Sequence, residues 1–318
     1  MLTEQERSHL RRVITCQSNK GGVGKTSIST NEAGVLAEAG YKVLLIDLDP
    51  QGDVADDLGY RGTEADDGGA ALFNAIAMDQ PLVPVKNVRP NLDVVPAGRR
   101  TAMLIDHIHG ETLRGQDVSE TLARRLLDIA DQYDVILMDT PPGEGTIQTL
   151  ALVAARWILI PTQPDDSSLR GISSLADRVV AVRPKNPDLA VLGVVLFPVA
   201  KSGTRILADT RTMLESIMGG VAPVFAATIR QAQASGVNAR RRGQLAIELA
   251  RDAEEQEPWY KVLRAAKDAP AEAATAKRGV RIADSANSLA GDYLRLTEEI
   301  LTTLAAHEQA QAATEAGA

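Results

Sequence analysis

A glycine-rich run between an apolar stretch and a helix-forming stretch limits most strongly how this chain can fold. Residues 19–27 read Asn-Lys-Gly-Gly-Val-Gly-Lys-Thr-Ser. They follow an apolar run at 13–17 and open a helix-forming run at 25–39, which is the context that a phosphate-binding loop requires. Glycines let backbone N–H groups curl around a phosphate, and the N-terminus of the next helix adds a partial positive charge. The sequence therefore predicts a phosphate site at this loop.

The side chains of the loop add two further functions. We expect Lys25 to reach the β- and γ-phosphates of a nucleotide and the Thr26 hydroxyl to ligate Mg²⁺. The ordinary pattern has a glycine where this chain has Asn19, and a second lysine, Lys20, stands beside it. The predicted nucleotide-contacting residues of the loop are Gly21, Gly22, Val23, Gly24, Lys25, Thr26 and Ser27.

Apolar runs alternate with helix-forming runs over most of the chain. Several of the apolar runs are continuous rather than alternating, as parallel strands covered on both faces require. The predicted strands are 13–17, 42–47, 92–96, 133–139, 155–161, 190–197 and 224–229. The predicted helices include 25–39, 118–133, 168–182 and 201–218. This alternation predicts an α/β fold, a doubly wound and mostly parallel sheet with helices on both faces, as in P-loop NTPases.

The ends of the chain and one internal segment depart from this pattern. We predict a short leader at 1–12, a single domain at 13–304 and a disordered tail at 305–318. Residues from about 251 to 281 are charged and rich in alanine, with prolines at 258 and 270, and we interpret them as a surface insertion. Before the tail, leucines and an isoleucine at helical spacing predict an amphipathic helix that packs back on the domain.

Composition excludes several classes of protein. The chain has 318 residues and one cysteine, Cys16, so it has no disulfide framework and no cysteine-ligated iron–sulfur cluster. It lacks a signal-like segment and an apolar run of about 20 residues, from which we expect a cytoplasmic protein. The net charge of −8 argues against a protein that coats nucleic acid, although the basic residues are unevenly distributed.

Four motifs in order resemble those of the ParA/MinD family, the P-loop ATPases with a deviant Walker A box. The first is residues 20–26 of the glycine-rich loop. The second is Leu-Leu-Ile-Asp-Leu-Asp-Pro-Gln-Gly-Asp at 44–53, and the third is Val-Ile-Leu-Met-Asp-Thr-Pro-Pro-Gly at 135–143. The fourth is Leu-Ile-Pro-Thr-Gln-Pro at 159–164. The motifs span residues 13 to about 170, and weaker similarity extends to about 250.

This resemblance implies ATP and Mg²⁺ as cofactors and gives roles to individual residues. Lys20 would be the signature lysine, which reaches across an ATP-bound homodimer to the partner's phosphates. Asp49 would act on the hydrolytic water, so the predicted catalytic residues are Lys20, Lys25 and Asp49, and the predicted metal-site residues are Thr26, Asp47 and Asp139. The family places adenine near Phe197 and Pro198 and near the loop after residue 229. From the residues alone, Asp47 and Asp49 could also form a strand-end turn.

The resemblance also implies what the ATPase acts on. A ParA-type partition ATPase binds DNA without sequence preference through phosphate contacts, hydrolyses ATP slowly and is stimulated by a centromere-binding (ParB-like) protein or another cargo adaptor. It would be associated with the nucleoid. The candidate DNA-binding residues are Arg230, Arg240, Arg241 and Arg242. A run of three arginines is also common in a solvated loop, so that alternative stays open.

Other members of the superfamily fit the sequence less well. A MinD-like membrane switch needs a basic amphipathic C-terminal helix, which this chain lacks, so we expect no membrane partner. A nitrogenase-reductase-like carrier needs cluster-binding cysteines, and a bacterial tyrosine kinase of this type has a tyrosine-rich tail. Two alternatives to DNA partition remain, which are positioning of a protein cargo and a metabolic P-loop phosphotransferase.

Overall fold

The fold is built on a single eight-stranded sheet in the computed structural model, which describes residues 1–143, 145–163, 165–199, 204–231, 239–255 and 270–316. The strands are β1 (Val13–Cys16), β2 (Val43–Asp47), β3 (Val85–Arg89), β4 (Leu92–Val95), β5 (Val135–Asp139), β6 (Trp157–Thr162), β7 (Ala190–Val199) and β8 (Val224–Arg230). Their order across the sheet is β3-β4-β2-β5-β1-β6-β7-β8. All neighbouring pairs are parallel except β3 and β4.

Helices connect the strands and cover both faces of the sheet. They are α1 (Glu4–Ser8), α2 (Lys25–Glu38), α3 (Asp53–Asp57), α4 (Ala70–Ala77), α5 (Arg99–Leu113), α6 (Thr121–Leu127), α7 (Gly145–Ala154), α8 (Asp166–Val182), α9 (Thr204–Met218), α10 (Ala246–Glu255) and α11 (Pro270–Ala316). No helix among the described residues is long and apolar enough to span a membrane.

Two layers of hydrophobic core lie on opposite faces of the sheet. In β2, Leu44 and Ile46 belong to the core shared with α4 to α9, whereas Val43 and Leu45 belong to the core shared with α2, α3 and α11. Successive strand residues point to opposite faces, so a strand buried on both sides must be apolar throughout. The predicted doubly wound, mostly parallel sheet is therefore confirmed.

The strand order places the glycine-rich loop at the centre of one edge of the sheet. β1 lies between β5 and β6, and the chain passes from β1 through α2 to β2 on the far side of β5. The connection from β5 through α7 leads instead to β6, on the other side of β1. Ligands of open α/β sheets bind in the crevice beyond the carboxyl ends of the strands, where the winding changes direction.

All seven predicted strands are present, and the structure adds an eighth, β3. This edge strand is half-exposed and pairs with β4 alone, so its sequence lacks the continuous apolar character of the others. A tight connection with Asn91 at φ +62° joins the two strands. Three amphipathic helices, α4, α5 and α7, were also not among the predicted helices.

The C-terminal region differs from the prediction. The predicted disordered tail at 305–318 is wrong for residues 305–316, which continue α11. Two contacts hold this part of the helix, since Arg12 donates two hydrogen bonds of 2.6 and 2.8 Å to Glu308, and the His307 ring lies 4.7 Å from that of Trp157. Of the predicted insertion at 251–281, residues 251–255 end α10, residues 270–281 begin α11, and residues 256–269 lie outside the described part. The predicted leader contributes Leu2 and Leu10 to the core.

Side chains cover the backbone of the edge strand β8. Arg211 of α9 donates hydrogen bonds of 3.1 and 2.7 Å to the carbonyl oxygens of Val224 and Phe225. Glu299 of α11 accepts hydrogen bonds of 2.7 and 2.6 Å from the N–H groups of Ala226 and Ala227. The β8 backbone is therefore bonded on this side by two charged side chains from different helices.

A buried acid joins α2 to α11 and should make stability depend on pH. Glu32 is 1% exposed and accepts a 2.7 Å hydrogen bond from Thr297. Burial raises the pKa of Glu32 from 4.5 to about 8. Between these values the unfolded chain has lost a proton that the folded chain keeps. Rising pH therefore lowers the free energy of unfolding, by at most about 1.4 kcal/mol per pH unit.

We expect Glu32→Gln to remove this dependence while keeping an acceptor for Thr297. Its melting temperature should exceed that of the wild type by a margin that grows from pH 5 to pH 8, as measured by thermal unfolding. Glu38→Gln, on the same helix but at a partly exposed side chain, is the matched control and should show no such growth. A constant difference between Glu32→Gln and wild type across this range would contradict the assignment.

Candidate nucleotide-binding site

The glycine-rich loop has the backbone conformation that its sequence requires. Gly22 and Gly24 have φ of +73° and +82°, and Gly24 is the N-cap of α2. A Cβ atom at Gly21 or Gly22 would meet no atom within 4 Å, so the space beside the loop is open. A Cβ atom at Gly24 would instead overlap the ring of Phe197. The loop therefore leaves its backbone accessible on one side and packs against Phe197 on the other.

Both lysines of the loop are held by contacts inside the chain. Lys25 is 6% exposed, and its Nζ donates a 3.3 Å hydrogen bond to the Lys20 carbonyl oxygen, so it lies across the loop. Lys20 forms an ion pair with Asp165, which directly follows the fourth motif. Gln163 of that motif donates a 3.1 Å hydrogen bond to the Gly22 carbonyl oxygen. The first and fourth motifs are therefore joined at the loop.

Two carboxylates meet below the loop at the carboxyl ends of β2 and β5. Asp47 and Asp139 are register partners on adjacent strands, and both are fully buried. Thr26 donates a 2.6 Å hydrogen bond from its hydroxyl to Asp139. Burial raises the pKa of both acids, and the charge of Asp139 raises that of Asp47 further. Asp47 Oδ2 has no hydrogen-bond partner among the described residues.

This arrangement fits a nucleotide phosphate group with Mg²⁺. The site combines a hydroxyl and two carboxylates, which are oxygen ligands that Mg²⁺ prefers directly or through water. Two buried acids without a cation between them are electrostatically unfavourable, and a divalent cation would offset that cost. The open backbone of the loop, the N-terminus of α2 and Lys25 supply the donors that phosphates require.

Asp49 lies at the rim of the same site. It is partly buried, and this burial raises its pKa, whereas the positive charge of Lys25 acts in the opposite direction. Its Oδ1 accepts a 3.0 Å hydrogen bond from Gln51 N, and its carbonyl oxygen accepts one of 2.8 Å from Gly52 N. Asp49 thus takes part in a strand-end turn and also lies at the rim of the predicted site.

The predicted adenine-contacting residues lie on the far side of the loop. Phe197 packs on Gly24, and the adjoining Pro198 is partly buried at the same end of β7. Gln231 after β8 is exposed, and the rest of the loop that follows, residues 232–238, lies outside the described residues.

The four arginines of the predicted DNA surface fall into two groups. Arg230 donates hydrogen bonds of 2.5 and 2.7 Å to Asp292, a buried acid of α11. Arg240 is bound to two carboxylates of α3. In contrast, Arg241 and Arg242 are exposed, and no ion pair is found for them in the described parts of the chain. Arg230 and Arg240 thus have acidic partners within the chain, while the Arg240 side chain keeps 45% of its surface exposed, so direct contact of either residue with DNA stays a prediction.

The sequence analysis did not single out Asp165 or Ser29, which also lie at the site. Ser29 lies one helical turn after Thr26, and its hydroxyl is 3.4 Å from Asp139. Asp165 directly follows the fourth motif, and this position was the available signal. Both contacts depend on how segments that are distant in sequence pack together at the sheet edge, which the spacing of motifs does not specify.

Comparison with known proteins gives a consistent result. Residues 11–191 match the family model of the AAA domain AAA_31. The cell division protein PomZ of Myxococcus xanthus is 40% identical over 162 residues, which are 50% of this chain and 49% of PomZ. The sporulation initiation inhibitor protein Soj of Bacillus subtilis is 32% identical over 192 residues, which are 58% of this chain and 72% of Soj. For several curated relatives, as for PomZ, the aligned part is only about half of their length.

Solved structures share the fold over a larger part of the chain. Cobyrinic acid a,c-diamide synthase from Mycobacterium smegmatis, solved with an ATP analogue and magnesium, has a TM-score of 0.59 and 26% identity. The match covers 72% of this chain and 91% of that protein.

Proposed function

The chain belongs to the AAA_31 family of ParA-like P-loop ATPases, and from this premise we propose that it is an ATP-driven positioning switch that binds DNA. Its cargo would be a DNA molecule, attached through an adaptor protein that stimulates ATP hydrolysis. The observation that carries the DNA part of the proposal is the exposed pair Arg241 and Arg242, which directly follows Arg240, a residue paired with Asp57 of α3.

Nucleotide binding would use the residues already in place at the sheet edge. Backbone N–H groups of residues 21–27 and the Lys25 ammonium would hold the phosphates, and Thr26, Asp47 and Asp139 would hold Mg²⁺ directly or through water. The bound metal would neutralise charge that develops on the transferred phosphoryl group. The Thr26 hydroxyl donates a hydrogen bond to Asp139, and this bond orients the Thr26 side chain towards the expected metal position.

Two side chains near the loop are suited to hydrolysis in a dimer. Asp49 at the rim can orient a water molecule or accept a proton from it. Its raised pKa makes its carboxylate a stronger base than that of an exposed aspartate. Lys20 would release Asp165 and extend to the phosphates of a second subunit, as an arginine finger does in other phosphoryl-transfer enzymes. We therefore expect slow hydrolysis by the isolated chain and faster hydrolysis with an adaptor.

Dimerisation explains how ATP could control DNA binding. One chain presents one exposed pair, Arg241 and Arg242, and a dimer held together by ATP presents two such pairs. Phosphate contacts made by a pair of linked subunits reinforce each other, because the second contact becomes intramolecular. The net charge of −8 would weaken DNA binding by the monomer and make this reinforcement necessary.

A metabolic enzyme is the alternative with an observation in its favour. The structural likeness to cobyrinic acid a,c-diamide synthase, at 26% identity, associates the same fold with small-molecule chemistry in that protein. A small-molecule enzyme would not need an exposed arginine pair or nucleotide-dependent binding to DNA. Positioning of a protein cargo remains open too, since PomZ is a cell division protein.

The proposal predicts nucleotide-dependent DNA binding that is lost in Arg241→Ala/Arg242→Ala. Binding to a random-sequence duplex should be strong with ATP and weak with ADP or without nucleotide, at fixed salt. The double variant should bind ATP normally. The slope of its log affinity against log salt should be smaller by about 2 for each subunit that contacts DNA, since each lost phosphate contact removes about 0.9.

Arg114→Ala/Arg183→Ala is the matched control. These arginines are also exposed, but they lie at or just after the C-terminal ends of α5 and α8, away from the nucleotide site. The control should leave DNA affinity and its salt dependence unchanged. If the wild type bound no DNA with any nucleotide, DNA positioning would be wrong and the small-molecule or protein-cargo alternative would take its place.

A further inference from the structure

Arg240 differs from its two neighbours because it is bound to α3. Its Nε donates a 2.8 Å hydrogen bond to Asp57 Oδ1, and its guanidinium lies 3.3 Å from Asp53 Oδ2. The Asp57 side chain is 12% exposed, so it needs a cationic partner. The Arg240 side chain is 45% exposed, but two carboxylates fix its guanidinium and neutralise its charge, which makes it a weaker phosphate contact than a free arginine. Arg241 and Arg242 have no such ion-pair partners among the described residues.

Asp57 also contacts the helix that begins at the phosphate loop. Its second oxygen, Oδ2, lies 3.2 Å from the hydroxyl of Thr30 on α2. The same hydroxyl donates a 2.8 Å hydrogen bond to the carbonyl oxygen of Thr26, the predicted Mg²⁺ ligand. The one hydrogen of the Thr30 hydroxyl can go to only one of these two oxygens at a time, but the contacts lead from Thr26 through Thr30 and Asp57 to Arg240.

The backbone after Arg240 is fixed to the end of α3 by separate contacts. Arg89 donates a 3.2 Å hydrogen bond to the Leu58 carbonyl oxygen and a 2.8 Å hydrogen bond to that of Gly243. Gly59 and Gly243 touch through their backbones, since a Cβ atom at Gly59 would lie 3.0 Å from Gly243 Cα. Residues 240–243 thus adjoin α3 along the backbone as well as through the Arg240 side chain.

α3 in turn is attached to the second motif, which contains Asp47 and Asp49. It starts directly after Gly52, its N-cap residue, at φ +67°. Arg61 donates hydrogen bonds of 3.1 and 2.8 Å to the carbonyl oxygens of Gln51 and Gly52 and also pairs with Asp56 of α3. These contacts join α3 to the second motif, so a shift of the motif would move α3 with it. Packed elements of this kind move between discrete positions rather than deforming continuously.

We propose that Arg240 and Asp57 are positioning residues that couple the nucleotide site to the exposed arginines 241 and 242. When the second motif moves with the bound phosphates, α3 moves residues 240–243 and changes how the exposed pair meets DNA. Arg240 itself makes no DNA contact. This inference rests on the proposed function, and it concerns the coupling between sites rather than either site alone.

Salt dependence separates a positioning arginine from a contacting one. We would measure affinity for a random-sequence duplex against salt, with ADP and with a non-hydrolysable ATP analogue, for Arg240→Gln, Asp57→Asn and the matched variant Arg241→Gln. For Arg240→Gln, the ratio of affinities between the two nucleotides should fall at least tenfold, and the salt slope should stay unchanged. Arg241→Gln should lower the slope by about 1 for each subunit that contacts DNA and keep most of the ratio.

A double variant tests whether the two residues act together. Asp57→Asn should reproduce the effect of Arg240→Gln, and combining both should add little, because each removes the same link. Arg240→Lys should restore part of the ratio, since an ammonium can still pair with Asp57. If Arg240→Gln kept the ratio and lowered the slope as much as Arg241→Gln does, Arg240 would be a phosphate contact and the inference would be overturned.

Hydrogen exchange tests the coupling without DNA. The amides of Gly243 and Gln244 donate to the carbonyl oxygens of Arg240 and Ala239 at 3.1 and 2.9 Å, so their exchange reports on this segment. In the wild type their protection should differ between the ATP analogue and ADP, and Arg240→Gln should remove the difference. If the wild type bound no DNA, the proposed function would fail. Nucleotide-dependent exchange would still support the coupling, whereas identical exchange would overturn it.

Discussion

Lys25→Ala should abolish nucleotide-dependent behaviour, with ATP affinity lowered about 100- to 1000-fold and hydrolysis no longer measurable. The Lys25 ammonium is buried and lies across the phosphate loop, 3.3 Å from the Lys20 carbonyl oxygen, so its charge acts in a site that is largely closed to water. Removal of one charged donor from such a site typically costs two to three orders of magnitude, or about 3–4 kcal/mol. Calorimetry with ATP and a phosphate-release assay would measure both effects.

Lys42→Ala is the matched control for this variant. Lys42 is exposed at the opposite end of β2, so its loss should leave ATP affinity and hydrolysis unchanged. Thermal unfolding without nucleotide should show that Lys25→Ala is folded, which separates loss of binding from loss of structure. ATP affinity within threefold of the wild type in Lys25→Ala would show that the phosphates bind elsewhere.

Asp292→Ala should destabilise the fold by about 1–3 kcal/mol. The Asp292 side chain is 2% exposed and accepts hydrogen bonds from the Arg230 guanidinium and from Arg230 N, and it also pairs with Arg295. Its removal leaves a partly buried guanidinium and a backbone N–H at the end of β8 without their acceptor, which accounts for a cost of this size. Urea unfolding monitored by circular dichroism would measure the change.

Two further variants locate the source of this loss. Asp209→Ala, at an exposed position of α9, should stay within about 0.5 kcal/mol of the wild type. Arg230→Met/Asp292→Leu should be less destabilised than Asp292→Ala, because the partly buried guanidinium of Arg230 is removed together with its acceptor. Equal stability of Asp292→Ala and the wild type would mean that the pair between Arg230 and Asp292 does not hold the end of β8 to α11.

The parts of the fold that depend on local pattern could be predicted from the sequence. Continuous apolar runs marked all seven predicted strands, including the edge strand β8, in which only alternate residues are buried, and the glycine-rich loop follows β1 as its motif requires. β3 was missed because three of its five residues, Val-Lys-Asn-Val-Arg, are polar. The tail after residue 304 looked unstructured because its own composition is small and polar. Its helix is held instead by Arg12 and Trp157, which are distant in sequence.

The site shows the same division between local and distant information. Motif order predicted that Thr26, Asp47 and Asp139 would meet at one edge, since consecutive parallel strands end there. It did not predict the pairing of Lys20 with Asp165 or of Arg240 with Asp57, because these contacts join loops whose relative position depends on the packed domain. The sequence shows three equivalent arginines in a row, whereas in the structure the first of them is paired with two carboxylates of α3.

The covered edge of β8 affects how copies of this chain can associate. An exposed edge strand offers unpaired N–H and C=O groups to any other strand, which leads to aggregation. Here Arg211 and Glu299 occupy several of these groups in β8, so a second copy cannot readily extend the sheet from this side. Association by strand addition would first have to break charge-assisted hydrogen bonds. If the chain pairs reversibly across a nucleotide, as we propose, it would benefit from having this route to aggregation blocked.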